Sequence, residues 1–101
     1  MLAQFTIFPV GKRESLSKDV AKILDIIDKS GLPYRFTPMA TIVEGSWDQV
    51  MALIKKCHEA VLGKGERVVT SIKIDDRKGH QKMIDTKVLS IEKRLRKPVN
   101  K

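Results

Sequence analysis

The central stretch from residue 36 to residue 47, F-T-P-M-A-T-I-V-E-G-S-W, limits the possible folds of this chain more than any other feature. It predicts that one strand ends, a tight turn follows near Met39–Ala40, and a second strand runs over Thr41–Glu44. Ser46, followed three residues later by Gln49, forms a capping box, which satisfies two unpaired backbone amides at a helix start. The stretch therefore predicts a β-hairpin that leads directly into a helix.

The rest of the chain alternates between the periodicities of strands and helices. Apolar residues at i, i+3, i+4 and i+7 predict helices that pack one face on a sheet, and alternating apolar and polar residues predict strands. The predicted order is β-α-β-β-α-β with a further C-terminal helix. This is the ferredoxin-like arrangement, an α+β fold whose four-stranded antiparallel sheet carries both main helices on one face. The predicted strands are Leu2–Val10, Leu32–Pro38, Thr41–Glu44 and Arg67–Asp75, and the predicted helices are one ending near Ser30, one over Trp47–Leu62 and one over Asp85–Lys97.

The size and composition of the chain predict one domain over residues 1–101, long enough for a single modest core. The apolar runs are too short to cross a bilayer, and the N-terminal residues lack a basic leader and a small-residue cleavage site. The single cysteine, Cys57, excludes an intrachain disulfide. Together these features predict a cytoplasmic protein with no membrane attachment.

The net charge of +8 is concentrated at the C-terminal end. Residues 1–72 carry ten basic and eight acidic side chains, a net charge of +2, whereas residues 73–101 carry ten basic and four acidic, a net charge of +6. A basic helix can bind nucleic acid or an acidic partner, which gives one alternative function for this chain. The C-terminal segment has no aromatic residues on which bases could stack, so nucleic acid is the less favoured partner.

The reactive side chains do not form a recognisable catalytic or metal-binding pattern. Cys57 and His58 are adjacent, but neighbours on a helix point about 100° apart and cannot act on each other. The sequence has no C-x-x-C or H-E-x-x-H spacing and no glycine-rich phosphate loop. We therefore expect no catalytic residue, no metal and no cofactor, and a protein that binds rather than catalyses.

Hydroxyl groups, one carboxylate and several large apolar side chains supply the candidate binding residues. Hydroxyls can donate to ring nitrogens, a carboxylate can pair with a cation or accept from an amino group, and aromatic or thioether side chains can form a flat wall. Two of the candidates also have plain structural readings, since Trp47 could pack on the core and Glu44 could form a surface ion pair. The candidate ligand-binding residues are Ser17, Thr37, Thr41, Glu44, Phe8, Met39 and Trp47.

The predicted sheet has a second face that neither main helix covers. Its residues include Phe8, Thr37, Thr41 and Ser71, so this face is apolar with scattered hydroxyls and carries few charges. Exposed surfaces of this kind usually mark an interface or a ligand site. We expect a second subunit to bury this face, in a symmetric homodimer or in a homotetramer formed as a dimer of dimers.

Five sequence blocks make the chain similar to one family, the small prokaryotic thiamine-binding proteins of ferredoxin-like fold. The resemblance covers nearly the whole chain, and its most specific blocks are the third and the last. One departure is Ala40, where the pattern has glycine. The blocks are F-T-I-F-P-V-G at 5–11, S-x-S at 15–17, T-P-M-A-T-I-V-E-G-S-W at 37–47, K-K-C-H-E-A at 55–60 and R-V-V-T-S-I-K-I-D-D-R at 67–77.

This resemblance implies a protein that holds thiamine, or its hydroxymethylpyrimidine part, in a pocket beside the sheet, for sequestration or delivery. Thiamine would be a bound ligand and not a cofactor. The resemblance also implies homodimers formed through the sheets, often paired into tetramers. By matched motif, Ser17, Thr41 and Glu44, followed by Thr37, would make the polar contacts, and Phe8, Met39 and Trp47 would form the walls.

Overall fold

The computed structural model describes residues 1–11, 16–63, 65, 67–79 and 83–100, without the side chains of residues 16 and 17. The described elements follow the predicted order, β-α-β-β-α-β with a C-terminal helix. They are β1 (Leu2–Val10), α1 (Leu16–Ser30), β2 (Tyr34–Phe36), β3 (Thr41–Glu44), α2 (Trp47–Leu62), β4 (Arg67–Asp75) and α3 (Met83–Leu95).

The four strands form one antiparallel sheet in the order β2-β3-β1-β4, which confirms the ferredoxin-like fold. β1 pairs with β4 along its whole length, from Leu2 opposite Asp75 to Val10 opposite Arg67. Its pairing with β3 is much shorter and stops where Phe5 lies opposite Thr41. The second half of β1 therefore has a strand on one side only.

The hydrophobic core lies between the sheet and the first two helices. Alternate residues of β1 point toward these helices, and so do the residues of the neighbouring strands that lie directly opposite them. The amphipathic stripes of α1 and α2 pack on this surface. The buried core residues are Ala3, Phe5, Ile7, Ile23, Ile27, Val43, Val50, Leu53, Ile54, Cys57 and Val61.

Helix α3 lies on the other face of the sheet, where the sequence predicts an open surface. It contacts β3, and its residues face Leu2 and Ile42, which point away from the core. None of its described side chains is buried. Part of the predicted open face is thus covered by the chain itself. The described part of the chain has no helix long and apolar enough to cross a membrane.

Two elements differ from their predicted bounds for physical reasons. β2 is only three residues long. It begins after Pro33, which has no amide to donate to a ladder, and it ends where the amide of Thr37 donates to the carbonyl of Ala40 at 3.0 Å and closes the turn. α3 begins two residues early, at Met83, and ends two residues early, at Leu95. Arg96 then adopts a left-handed conformation, with φ of 59°, and Lys97 donates to the carbonyl of Glu92 at 3.3 Å, which closes the helix as a Schellman-type cap.

Candidate functional site

The tip of the β2–β3 hairpin is organised by one hydroxyl group. Thr37 Oγ1 donates to the carbonyl of Ala40 at 2.7 Å and accepts from the amides of Met39 at 3.3 Å and Ala40 at 3.1 Å. A hydroxyl has one proton and two lone pairs, so these three bonds use its full capacity. Thr37 therefore fixes the shape of the turn.

A cavity of about 200 Å³ opens beside this turn, and we call it the hairpin cavity. Its walls come from three elements of the described fold. They are the α1 residues Val20, Ile23 and Leu24, the β1 segment Phe5–Phe8, and the hairpin segment Phe36–Thr41. The cavity lies where the first helix, the half of β1 that has no β3 partner and the hairpin tip meet.

The hairpin cavity reaches around the free edge of β1. Phe5 and Ile7 are buried toward the helices, whereas Thr6 and Phe8 point to the other face, yet all four line the cavity. A single space can touch both sets only at the strand's edge. The pairing with β3 stops at Phe5, so the backbone groups of Thr6–Phe8 that point away from β4 have no β3 partner.

Four of the seven predicted binding residues line the hairpin cavity: Phe8, Thr37, Met39 and Thr41. The predicted place of Thr41 on the uncovered face is wrong, because Thr41 lies directly opposite the buried Phe5 and points toward the helices; it is only 7% exposed. Met39 is 84% exposed at the rim of the cavity. Ser17 lies in α1, one turn before Val20, but its side chain is outside the described residues. The cavity thus combines the hydroxyl of a buried residue, Thr41, with mostly apolar walls.

Glu44 lies on the opposite face from Thr41, because the two residues are three positions apart in the same strand. Its carboxylate accepts from the Met83 amide at 2.6 Å through Oε2 and from the Ile84 amide at 3.2 Å through Oε1. These are unpaired amides of the first turn of α3, where a negative charge is favourable. Glu44 is 7% exposed and caps a helix that follows it by 39 residues.

Trp47 also lies apart from the hairpin cavity. It occupies the first position of α2 and is 56% exposed. The predicted capping box beside it is confirmed, since Gln49 donates its amide to Ser46 Oγ at 3.2 Å and Ser46 donates its amide to Gln49 Oε1 at 3.0 Å. The helix start therefore follows its local sequence, while the indole faces solvent.

A larger cavity of about 620 Å³ separates α3 from the sheet, and we call it the α3 cavity. Leu2 and Ile42 form its floor, and α3 supplies apolar side chains to its roof. Phe36 and Thr37 line both cavities. Sequence reasoning missed this cavity because it left the position of α3 undefined. An amphipathic helix next to an uncovered apolar sheet face was the available signal.

Cys57 and His58, the adjacent reactive pair of the sequence, both lie within the fold and line neither cavity. Burial raises the pKa of the Cys57 thiol to about 11, so the thiol stays protonated and a poor nucleophile at neutral pH. His58 Nδ1 lies 2.6 Å from Thr70 Oγ1, within the fold and away from both cavities. No group of three or more His, Cys, Asp or Glu residues in the described ranges could hold a metal ion.

The fold and its cavities define a class of protein, a small ferredoxin-like domain with ligand-sized spaces at the margins of its sheet. Residues 3–92 match the family model described as thiamine-binding protein, and the chain belongs to this family. This confirms the resemblance seen in the sequence blocks.

Relatives of similar length support the assignment. The chain is 36% identical over 91 residues to the UPF0045 protein MJ1052 of Methanocaldococcus jannaschii, a match that covers 90% of this chain and 91% of the relative. It is 39% identical over 100 residues to the UPF0045 protein YqgV of Bacillus subtilis, covering 93% and 96%.

Solved structures show the same fold. The crystal structure of MJ1052 is similar with a TM-score of 0.81 at 37% identity and covers 89% of this chain and 93% of that chain. The structure of a domain of unknown function, DUF77, from Bacillus cereus is similar with a TM-score of 0.79 at 31% identity, covering 88% and 86%.

Proposed function

We propose that the protein binds thiamine, or its hydroxymethylpyrimidine part, in the hairpin cavity without catalysis, and so sequesters or delivers it. Membership of the thiamine-binding family suggests the ligand. The observation that carries the location is the free edge of β1, where the cavity meets backbone groups that have no β3 partner, next to the hydroxyl of Thr41.

The free edge offers the hydrogen-bonding pattern that an aminopyrimidine needs. Such a ring presents an accepting nitrogen beside a donating amino group, and a strand edge presents N–H and C=O groups along one line. The backbone of Thr6–Phe8 lies at the cavity. The Thr41 hydroxyl adds a side-chain partner deeper in the fold. We therefore expect main-chain groups and one hydroxyl to recognise the ring.

The size of the hairpin cavity favours partial enclosure of the ligand. Its volume of about 200 Å³ is below the roughly 300–1,000 Å³ usual for pockets that enclose a whole drug-sized molecule. The pyrimidine ring would enter, and the cationic thiazolium would remain at the rim. Phe8 is exposed there, and an aromatic face attracts a cation.

We also propose that the protein works as a homodimer or a homotetramer formed through the sheet. The support is the apolar surface that α3 leaves exposed on that face, which includes Phe8, Val10 and Val69. Exposed patches of this kind mark interfaces in soluble proteins. An assembly through this face would also shield the rim of the hairpin cavity.

Binding of nucleic acid or an acidic partner through the basic C-terminal helix is the second candidate. The exposure of Lys93, Arg94, Arg96 and Lys97 favours it. Salt dependence separates the two functions. Binding to a phosphate backbone falls steeply with salt, whereas recognition of the pyrimidine ring rests on hydrogen bonds and apolar contact and should tolerate salt.

The test is isothermal titration of the protein with thiamine and with free hydroxymethylpyrimidine, using the wild type and Thr41→Val. Loss of one hydrogen bond from a buried site costs about 1–3 kcal/mol, so we expect the affinity of the variant to fall by about fivefold or more. Thr86→Val, the same change on exposed α3, is the matched control and should bind as the wild type does. Absence of binding by the wild type, or equal binding by Thr41→Val, would contradict the proposal.

A further inference from the structure

We infer that Thr37 is a positioning residue that sets the specificity of the hairpin cavity. Its hydroxyl closes the hairpin turn and so makes one wall of the cavity free of hydrogen-bond donors. The site therefore accepts an aminopyrimidine with a 2-methyl group and rejects the matching 2-oxo pyrimidine. The inference rests on the proposed function and adds to it the class of pyrimidine that fits.

The first support is that the turn uses its own backbone amides. The amide of Thr37 donates to the carbonyl of Ala40 at 3.0 Å, and Pro38 has no amide hydrogen to donate. The amides of Met39 and Ala40 donate to Thr37 Oγ1 at 3.3 Å and 3.1 Å. No amide of residues 37–40 is therefore left to donate to a ligand.

The second support is that the Thr37 hydroxyl is itself fully used. Its proton is donated to the carbonyl of Ala40 at 2.7 Å, and its two lone pairs accept the two amides of the turn. The sequence motif suggests that Thr37 contacts the ligand, but this hydroxyl has no capacity left for such a contact. Thr37 therefore acts on the ligand through the turn that it holds.

The third support is the character of the side chains on the same side of the cavity. Apart from Thr37, the described side chains that the turn and α1 contribute to the lining carry no hydrogen-bond donor. The turn supplies Pro38, Met39 and Ala40, and α1 supplies Val20, Ile23 and Leu24. The donors of the proposed site are instead the free edge of β1 and the hydroxyl of Thr41.

A wall without donors distinguishes two pyrimidines that are otherwise alike. Hydroxymethylpyrimidine carries a 2-methyl group, whereas 5-hydroxymethylcytosine has the same amino and hydroxymethyl groups and carries a 2-oxo group. Because three elements enclose the cavity, a ring whose polar edge lies along β1 presents the rest of its rim to α1 and the turn. A methyl group is buried favourably against such walls. A carbonyl oxygen would lose its hydrogen bonds to water and gain none in exchange.

The test is isothermal titration of the wild type, Thr37→Val and Thr37→Ser with both pyrimidines. The wild type should bind hydroxymethylpyrimidine about fivefold or more tightly than 5-hydroxymethylcytosine, because the buried 2-oxo group lacks a donor. Thr37→Val keeps the shape of the side chain but frees the amides of Met39 and Ala40, which can then donate to the 2-oxo group. It should lower the ratio of the two affinities by about threefold or more. Thr37→Ser retains the hydroxyl and should retain the ratio.

The ratio of affinities separates specificity from stability, since a variant that only loosens the fold weakens the binding of both pyrimidines alike. Thermal melting shows whether each variant remains folded, and Thr86→Val, the same change on α3, should keep the wild-type ratio. Equal binding of the two pyrimidines by the wild type, or an unchanged ratio in folded Thr37→Val, would overturn the inference and leave the proposed function standing. Binding of neither pyrimidine by the wild type would contradict the proposed function and the inference together.

Discussion

The two faces of the sheet are covered in different ways. On one face, α1 and α2 bury a continuous set of apolar side chains against β1 and β3. On the other, α3 has no buried side chain, and capping and ion-pair contacts tie it to the sheet. Burial contributes about 25 cal/mol per Å² of apolar surface, whereas exposed ion pairs contribute about 0–1 kcal/mol each. The first face therefore contributes most of the stability, whereas the Glu44 cap and two exposed ion pairs hold α3 on the second face.

The positions of the two cavities follow from this difference. The hairpin cavity lies at the border of the well-packed side, where β3 stops pairing with β1. The α3 cavity lies wholly on the loosely held side. We expect a ligand in the hairpin cavity to meet walls that the packed core already holds in place.

The largest expected effect comes from truncating a side chain on the packed face. Ile27 is fully buried, whereas Ile91 of α3 is 52% exposed. We expect Ile27→Ala to lower the free energy of unfolding by about 2–5 kcal/mol, because it leaves a cavity in the core. Ile91→Ala should change it by no more than about 0.5 kcal/mol. Denaturant titration measures both values, and similar losses would show that α3 packs as tightly as the core helices.

The next effect concerns the Glu44 cap. Glu44→Gln removes the charge that the Met83 and Ile84 amides contact, and a lost hydrogen bond to a charged group costs about 1–3 kcal/mol. We expect hydrogen exchange of the α3 amides to accelerate while the α1 amides stay protected. Asp48→Asn, an exposed acidic residue in the first turn of α2, is the control. Unchanged exchange in α3 would show that Glu44 does not hold this helix.

The smallest effect concerns the ion pair between Lys87 and Asp75. Hydrogen bonding to Lys87 and its positive charge hold the pKa of Asp75 below the ordinary aspartate value. A carboxyl group whose pKa is lowered by folding stabilises the folded state above its unfolded pKa, and this contribution is lost as the pH falls through the folded pKa. We therefore expect acid to loosen α3, and high salt to do the same by screening.

The measurement is hydrogen exchange of α3 over an acid titration, comparing Asp75→Asn with Asp76→Asn. The wild type and Asp76→Asn should lose protection as the carboxyl of Asp75 protonates. Asp75→Asn should begin with lower protection and respond less to acid. An identical acid response in all three proteins would mean that other groups tie α3 to the sheet.

Most of the fold could be predicted from local sequence. The bounds of β1, β3, α2 and β4 agree with the prediction, because alternation, apolar stripes and the Ser46 cap act over a few residues. The start of α3 could not be predicted in this way. It depends on Glu44, which is 39 residues distant along the chain.

The candidate site was predictable only in part. The grouping of Phe8, Thr37, Met39 and Thr41 follows from a hairpin tip that lies beside the end of β1. Glu44 and Thr41 are three residues apart in one strand, so the sequence alone could have predicted that their side chains point to opposite faces of the sheet. The early end of the β1–β3 ladder could not be predicted from the sequence, because the register depends on how the hairpin packs against its neighbours.

The central claim is that the pyrimidine ring of thiamine binds at the free edge of β1, and amide chemical shifts of the labelled protein during titration with thiamine test it most directly. We predict saturable shifts at Thr6–Phe8 and at Thr37–Thr41, with smaller changes across α3. Shifts confined to Met83–Glu92, or no shifts at saturating ligand, would contradict the claim.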